Sequence, residues 1–202
     1  MSTAVNPNAA MESDLRYRNR AAHHADTEEA RDAADRALRD RDARDRAIEL
    51  LRDFDIAMVS TRRLDGTFGT RPMFCAQVDS DGTMWLVTRQ DARLVEEIEA
   101  HDRVAVALSG GGRYVSVNAV ARCLDEEDVV RGLWASYMEP FFPEGPAESD
   151  AVAVRLRPDE IEFWDTSGSN GARMLWNAAK AYLTGDEVEQ VESAHAKVDL
   201  RN

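Results

Sequence analysis

Glycine-marked turns between short runs of β-forming residues constrain this chain more than any other feature. Asp65-Gly66 follows the apolar run IAMVST, Asp81-Gly82 precedes MWLVT, and Gly110-Gly111-Gly112 separates Val104–Leu108 from Tyr114–Leu124. An Asp-Gly pair takes up the positive φ that a tight hairpin needs, so the runs flanking it fold back on each other. The spacing predicts strands at 56–61, 69–78, 84–88, 104–108 and 114–124. Two more, Ala151–Leu156 and Ile161–Trp164, are joined tightly through Pro158-Asp159. Two helices interrupt the series. DARLVEEIEA, residues 91–100, places Leu94, Val95 and Ile98 on one face behind Asp91 as a cap. Asp125–Met138 turns Val129, Val130, Leu133, Trp134 and Met138 inward and stops at Pro140. A doubly wound sheet alternates strand and crossover helix, and this order does not. The pattern predicts a mainly β protein with flanking helices, built as a small barrel or a strongly curled antiparallel sheet.

The two ends differ from the middle. Residues 13–45 are rich in Ala, Arg, Asp and Glu and, within the run EEARDAADRALRDRDARDRAIELL, free of Gly and Pro, so a helical arm is expected. Its apolar stripe is mostly alanine until Ala47, Ile48, Leu50 and Leu51 supply a face that can dock. After the loop TSGSNG a last helix is expected over Ala172–Leu183, closed by Gly185 and followed by a polar tail. The chain thus divides into an amino-terminal extension (1–45), a barrel domain (46–166) and a carboxy-terminal helix and tail (167–202).

Charge and composition narrow the function. Thirty-eight acidic against 25 basic residues give a net charge of -13, which argues against nucleic-acid or anionic-membrane partners, since both depend on basic surfaces. MSTAVNPNAAMESD has no basic end followed by an apolar run, and no stretch approaches membrane-spanning length, so a cytoplasmic setting is expected. Cys75 and Cys123 have no partners at zinc-site spacing. His23, His24, His101 and His195 form no metal motif, so no metal is expected. No GxSxG elbow or GxxxxGK[ST] loop occurs, and no catalytic acid or base stands out. What remains is polar groups at strand ends. Arg71 precedes Pro72, and Thr88 and Arg89 end a strand that runs into the 91–100 helix. These groups either converge on one anion or pair with the abundant surface carboxylates. Trp134, Phe141 and Phe142 either wall a planar ligand or serve core and interface packing.

The order of these features carries a resemblance. IAMVSTRRLDGTFGTRPMFCAQVDSDGTMWLVTRQDARLVEEI, then YVSVNAVARCLDEEDVVRGLWASYMEPFFPEG, IEFWD, AKAYLTGDE and KVDL together resemble the pyridoxamine 5'-phosphate oxidase-like split-barrel proteins, and within them the general stress protein 26-like branch. RPM alone is a weak marker, whereas RPM, WLVT, LW, FPEG and EFWD in order are a strong one. The amino-terminal arm is longer than is usual in that branch.

The resemblance implies a six-stranded antiparallel split barrel that forms a homodimer, with flavin mononucleotide (FMN) in a cleft between subunits. Arg71 then contacts the phosphate side, Pro72 and Met73 line the isoalloxazine, and Leu86, Val87 and Thr88, with Arg89 beside them, add ring and phosphate contacts. The family's phosphate-binding lysine falls at Leu94, so Arg93 either replaces it or phosphate affinity is reduced. Trp134, Phe141 and Phe142 close the cleft, in one arrangement from the partner subunit. The implied activity is hydride transfer from a reduced nicotinamide to the flavin and then to a small acceptor. The alternatives are a flavin-binding stress protein without turnover, a barrel holding F420 or haem (with His101 or Cys75 as axial ligand), or an empty scaffold for protein interaction. Vitamin B6 oxidation itself is not expected.

Overall fold

The computed structural model describes residues 31–167 and 195–201. The expected helix at Ala172–Leu183, its stop at Gly185 and the first part of the amino-terminal extension lie outside the described residues. The chain divides into two units between Asp42 and Ala43. In the first, residues 31–42 are helical, as their composition predicts. The rest of the description concerns the second.

There α1 (43–52) docks through Ala47, Ile48, Leu50 and Leu51, all buried, as expected from the sequence. Among the described residues eight strands follow: β1 (Ile56–Arg62), β2 (Phe68–Phe74), β3 (Gln77–Val78), β4 (Met84–Arg89), β5 (Arg103–Gly110), β6 (Arg113–Leu124), β7 (Ala151–Asp165) and β8 (His195–Asp199). Between β4 and β7 lie two helices, α2 (Arg93–Ala100) and α3 (Glu127–Leu133), and a 3-10 turn, Ser136–Met138. All strand pairs are antiparallel, in the order β2-β1-β5-β6-β7-β4-β3, with β8 added on β7. The hairpin signals act as predicted. Gly66 and Gly82 take φ of 86° and 91°, and the Asp65 and Asp81 carboxylates accept the N–H of Thr67 and Thr83, each at 2.9 Å. No helix among the described residues is long and apolar enough to cross a membrane.

The sheet is curled but is not a closed six-stranded barrel. The expected strand 69–78 is two strands. Cys75 N–H donates to the Asp55 carbonyl beside β1, whereas Ala76 N–H donates to Trp85 on β4, both at 2.8 Å. Consecutive residues therefore bond to opposite ends of the strand order. A two-residue link between those ends forces the sheet to curl until β2 approaches β4, yet no ladder joins them, which leaves a seam.

The two strands expected around Pro158-Asp159 are instead one, β7. Asn118 pairs with Glu160 and Ala119 with Pro158, so Asp159 is the extra residue of a bulge, where proline's missing N–H is tolerated. Asp159 is held there by an ion pair with Arg103 and by its own carbonyl, which accepts Leu200 N–H at 2.7 Å. The polar tail contributes β8. The helix expected over Asp125–Met138 is broken: Trp134 and Ala135 are extended (ψ 133° and 154°). In an unbroken helix Leu133 and Met138 would point about 140° apart. The break lets both join Val130, Phe142, Ala151 and Ala153 in one cluster outside the main core. Asp91 does not cap α2; its carboxylate receives Arg89 Nε at 3.2 Å, and Ala92 holds the N-cap position without a side-chain bond.

Asp165 clips α1 to the end of β7. It accepts Arg46 Nη2 at 2.7 Å and the N–H and hydroxyl of Ser167 at 3.0 and 2.5 Å. Burial pushes this carboxyl up, but the bonds from Ser167 and Arg46 outweigh burial and leave it below its ordinary value. A depressed carboxyl contributes stability that is present above the unfolded pKa of about 3.9 and lost as pH falls through the folded value. Asp165→Asn is expected to lower stability at neutral pH by about 1 kcal/mol, discounted for the exposure of Arg46, and to flatten the acid limb below about pH 4. Urea midpoints measured across that pH range check both.

Candidate functional site

The seam between β2 and β4 opens into a cleft of about 470 Å3. Pro72, Met73 and Phe74 form its β2 side, Val87, Thr88 and Arg89 its β4 side, and Ile56 extends it onto β1. The segment after α3 supplies the remaining wall through Tyr137, Met138, Phe141 and Phe142. Met138 and Phe142 are buried and anchor this wall, whereas Tyr137 and Phe141 stay 39% and 60% exposed. Phe74 gathers the exposed rings, with centroids 5.2 Å from Tyr137 and 6.4 Å from Phe141. The cleft is thus mostly apolar surface, with polar side chains, among the described residues, confined to Thr88, Arg89 and Tyr137. Arg89 at its rim donates to Asp91 and is paired with Asp150 at 2.7 Å. Burial, with Cys75 and Asp55 nearby, raises the Tyr137 phenol, which stays a protonated donor.

A second group lies further along β2, where Arg71, on the same face as Met73, turns toward α2. Arg71 Nη2 donates to Glu97 Oε2 at 2.6 Å, and Thr61 Oγ1 donates to the same oxygen at 2.5 Å. Arg63 Nε is 3.9 Å from Oε1. Burial raises Glu97, but the bonds from Thr61 and Arg71 and the charge of Arg63 outweigh it, so the carboxyl is held below its usual range. Gly69 makes room for the guanidinium: a Cβ there would stand 2.7 Å from Arg71 Nη2. Arg71 Nη1 is buried and has no hydrogen-bond partner among the described residues. Arg93 lines a cleft of about 230 Å3 with Arg63, Leu64, Asp65, Glu96 and Glu97.

Of the residues expected at a ligand site, Pro72, Met73, Val87, Thr88, Arg89, Phe141 and Phe142 come together in the seam cleft. Arg71 and Arg93 belong to the second group. Leu86 is fully buried in the main core, and Leu94, at the position of the family's lysine, is core as well. Trp134 sits behind the cleft, its ring 5.8 Å from that of Phe142. Ile56, Phe74, Tyr137 and Met138 in the cleft, and Thr61 and Glu97 behind β2, were not anticipated. Glu97 had a signal: it follows Leu94 by three residues, so it falls on the apolar stripe of α2. Cys75 and His101, weighed as haem ligands, do not line the cleft, and burial pushes the Cys75 thiol up to about 11. No cluster of metal-ligating side chains occurs among the described residues.

Comparison with known proteins places this geometry. Similar solved structures include a protein from Jannaschia sp. CCS1 described as a general stress protein 26 (24% identity, TM-score 0.58, 76% of this chain and 95% of that one). A general stress FMN/FAD binding protein from Xanthomonas citri matches at 22% identity and TM-score 0.55, over 63% and 92% of the two chains. A protein from Clostridium acetobutylicum related to general stress protein 26 of B. subtilis matches at 19% and 0.53, over 58% and 84%. At these identities the likeness is one of fold. No curated protein matches the sequence. The family model described as pyridoxamine 5'-phosphate oxidase like matches residues 42–189, and by that match the chain belongs to the pyridoxamine 5'-phosphate oxidase-like family.

Proposed function

We propose that this protein is a homodimeric FMN-binding stress protein of the cytoplasm that acts as an oxidoreductase, taking hydride from a reduced nicotinamide and passing it to a small acceptor. The observation that carries the reading is the pairing of a largely apolar, ring-walled cleft at the seam with a guanidinium on the adjoining residue of β2 whose buried Nη1 has no partner among the described residues. The cleft volume lies within the range of small-molecule sites. The aromatic and aliphatic walls suit an isoalloxazine, which Pro72, Met73, Val87 and Thr88 would hold. Arg71 Nη1 has an unused donor for a phosphate oxygen, and Arg93 stands nearby in place of the family's lysine. FMN, when bound, supplies the hydride chemistry. The chain's own part is to bury the ring, exclude water with the Tyr137–Phe142 wall and offer the Thr88 hydroxyl and the Tyr137 phenol as hydrogen-bond donors.

Assembly follows from what the sheet leaves bare. Ile56, Met58, Phe68 and Phe74 are large apolar side chains at least 41% exposed on the outer face of β1 and β2. Ile56 and Phe74 also line the cleft, so a second copy seated on this face, with the 134–142 segment at its border, closes the ligand site from outside.

A second reading, flavin binding without turnover, is favoured by one observation: among the described residues no histidine or carboxylate lines the cleft. One titration series separates the readings. FMN is expected to bind stoichiometrically per subunit with altered fluorescence, and NADH or NADPH is expected to bleach it anaerobically. Binding without bleaching by either donor selects the second reading. No saturation at high micromolar FMN removes both.

A further inference from the structure

Glu97 is the most confined acidic group beside the proposed ligand site. It is 4% exposed on the inner face of α2, and its carboxylate receives Thr61 and Arg71 while Arg63 stands 3.9 Å away. Arg89, at the cleft rim, is already paired with Asp91 and Asp150, whereas Arg71 keeps Nη1 without a partner among the described residues, and one edge of its guanidinium is taken by Glu97. The charge around this point is balanced. Arg63, Arg71 and Arg93 face Asp65, Glu96 and Glu97. A phosphate reaching Arg71 Nη1 therefore meets a guanidinium whose charge is matched, with a fixed carboxylate across its width, instead of an unpaired cation. Two anions on one guanidinium share its attraction and repel each other, and low local polarity enlarges both effects. The position that would add a further cation is Leu94, which is buried in the core.

We infer that Glu97 is a built-in counter-anion that competes with the flavin phosphate for Arg71, and that it makes FMN an exchangeable ligand held mainly by its ring. This rests on the FMN reading above for the identity of the ligand, but the competition itself concerns any phosphate at Arg71. Glu97 holds the arginine in place when no ligand is present and limits how tightly the phosphate is gripped. A protein built this way takes up and releases FMN as flavin concentration changes, and it discriminates weakly between FMN and riboflavin.

The test compares wild type, Glu97→Gln, Glu97→Asp and the double variant Arg71→Gln/Glu97→Gln in two measurements. The first is titration with FMN and with riboflavin. Glu97→Gln keeps an acceptor for Thr61 but removes the charge, and it is expected to tighten FMN by about tenfold while leaving riboflavin unchanged. The second is thermal melting in inorganic phosphate against chloride at matched ionic strength. Phosphate is expected to raise the melting temperature of Glu97→Gln more than that of wild type. Both gains are expected to vanish in the double variant. If Glu97→Gln does not fold, Glu97→Asp, with its carboxylate drawn back by one methylene, is expected to show the same signs at smaller size. Weakened FMN binding in Glu97→Gln overturns the inference, because Glu97 then serves phosphate binding by organising Arg71. Equal changes for both flavins, or gains that persist in the double variant, overturn it too. If no variant binds either flavin, the FMN reading falls, and the phosphate dependence of melting decides the competition alone.

Discussion

Leu86→Ala is expected to destabilise the fold by about 2–5 kcal/mol, the range for truncating a fully buried leucine. Leu86 has no exposed surface; it pairs in register with Val154 of β7, and Met84, Leu156 and Ile161 share its core cluster. None of these can collapse into the space without moving a paired strand, so the cavity persists. The urea midpoint should fall with the slope unchanged. The informative part is what stays constant. Leu86 immediately precedes the cleft residues Val87, Thr88 and Arg89 in sequence, but β4 alternates, and its side chain faces away from the Val87 side. FMN affinity of the folded variant should therefore stay within about twofold of wild type, the additivity expected for sites without shared contacts. A flavin affinity that falls by as much as the stability would place Leu86 at the ligand.

The same alternation shows what the sequence could and could not give. Local chemistry decided the hairpins at Asp65-Gly66, Asp81-Gly82 and Gly110-Gly112, because an Asp-Gly or Gly-Gly step sets its own backbone. It also gave α2 and the docked end of α1, whose apolar residues recur at helical spacing. The failures arose where distant pairing overrode a local signal. Pro158-Asp159 reads as a turn, yet β6 runs alongside and keeps β7 whole by absorbing one residue as a bulge. TRPMFCAQV reads as one strand, and nothing in it marks Cys75 as the place where the chain changes partners. The run through Trp134 reads as one helix. Its break is set by the need to turn both Leu133 and Met138 toward β4 and β7. The polar His195–Asp199 forms a strand because β7 offers it an edge, with Lys197 paired to Glu160 at 2.9 Å.

At the candidate site, resemblance supplied contiguous blocks, and the structure divided them by position along the strand relative to the seam, not by face alone. Pro72 and Met73 reach the cleft while Arg71 goes to Glu97; Val87 and Thr88 reach it while Leu86 goes to the core. A strand's period of two does not forecast this division, because Arg71 and Met73 share one face of β2 and Leu86 and Thr88 share one face of β4; what decides it is where the sheet fails to close. Ile56 and Phe74 illustrate the gap. They are cross-strand neighbours, and only the seam makes them a wall. Tyr137 was hidden for a related reason: the break after Leu133 sets its direction, and that break is a tertiary effect.

Met58→Asp is expected to convert the proposed dimer to monomer and to weaken FMN binding as a consequence. Met58 is 41% exposed on β1, with Pro72 of β2 on one side and Ala107 of β5 on the other, in a stripe that continues to Ile56 and Phe74. The monomer tolerates an aspartate there, because an exposed strand position keeps its carboxylate in water. In a two-fold contact the same change buries an unpaired carboxylate from each subunit. A penalty of about 4 kcal/mol corresponds to about a thousandfold in the dimer dissociation constant. Met58 does not line the cleft, whereas Ile56 and Phe74 do, so lost flavin affinity in this variant reports assembly and not a damaged wall. Light scattering with and without FMN reads both effects, and Met58→Leu should keep dimer and ligand alike. Ionic strength gives a further check. The net charge of -13 opposes association of two copies, so salt should strengthen the wild-type dimer modestly. It should not rescue Met58→Asp, because a charge buried in an apolar contact is out of reach of screening ions. A wild-type monomer with flavin bound, or a Met58→Asp dimer with full affinity, would remove this face from the assembly and leave the cleft complete within one chain.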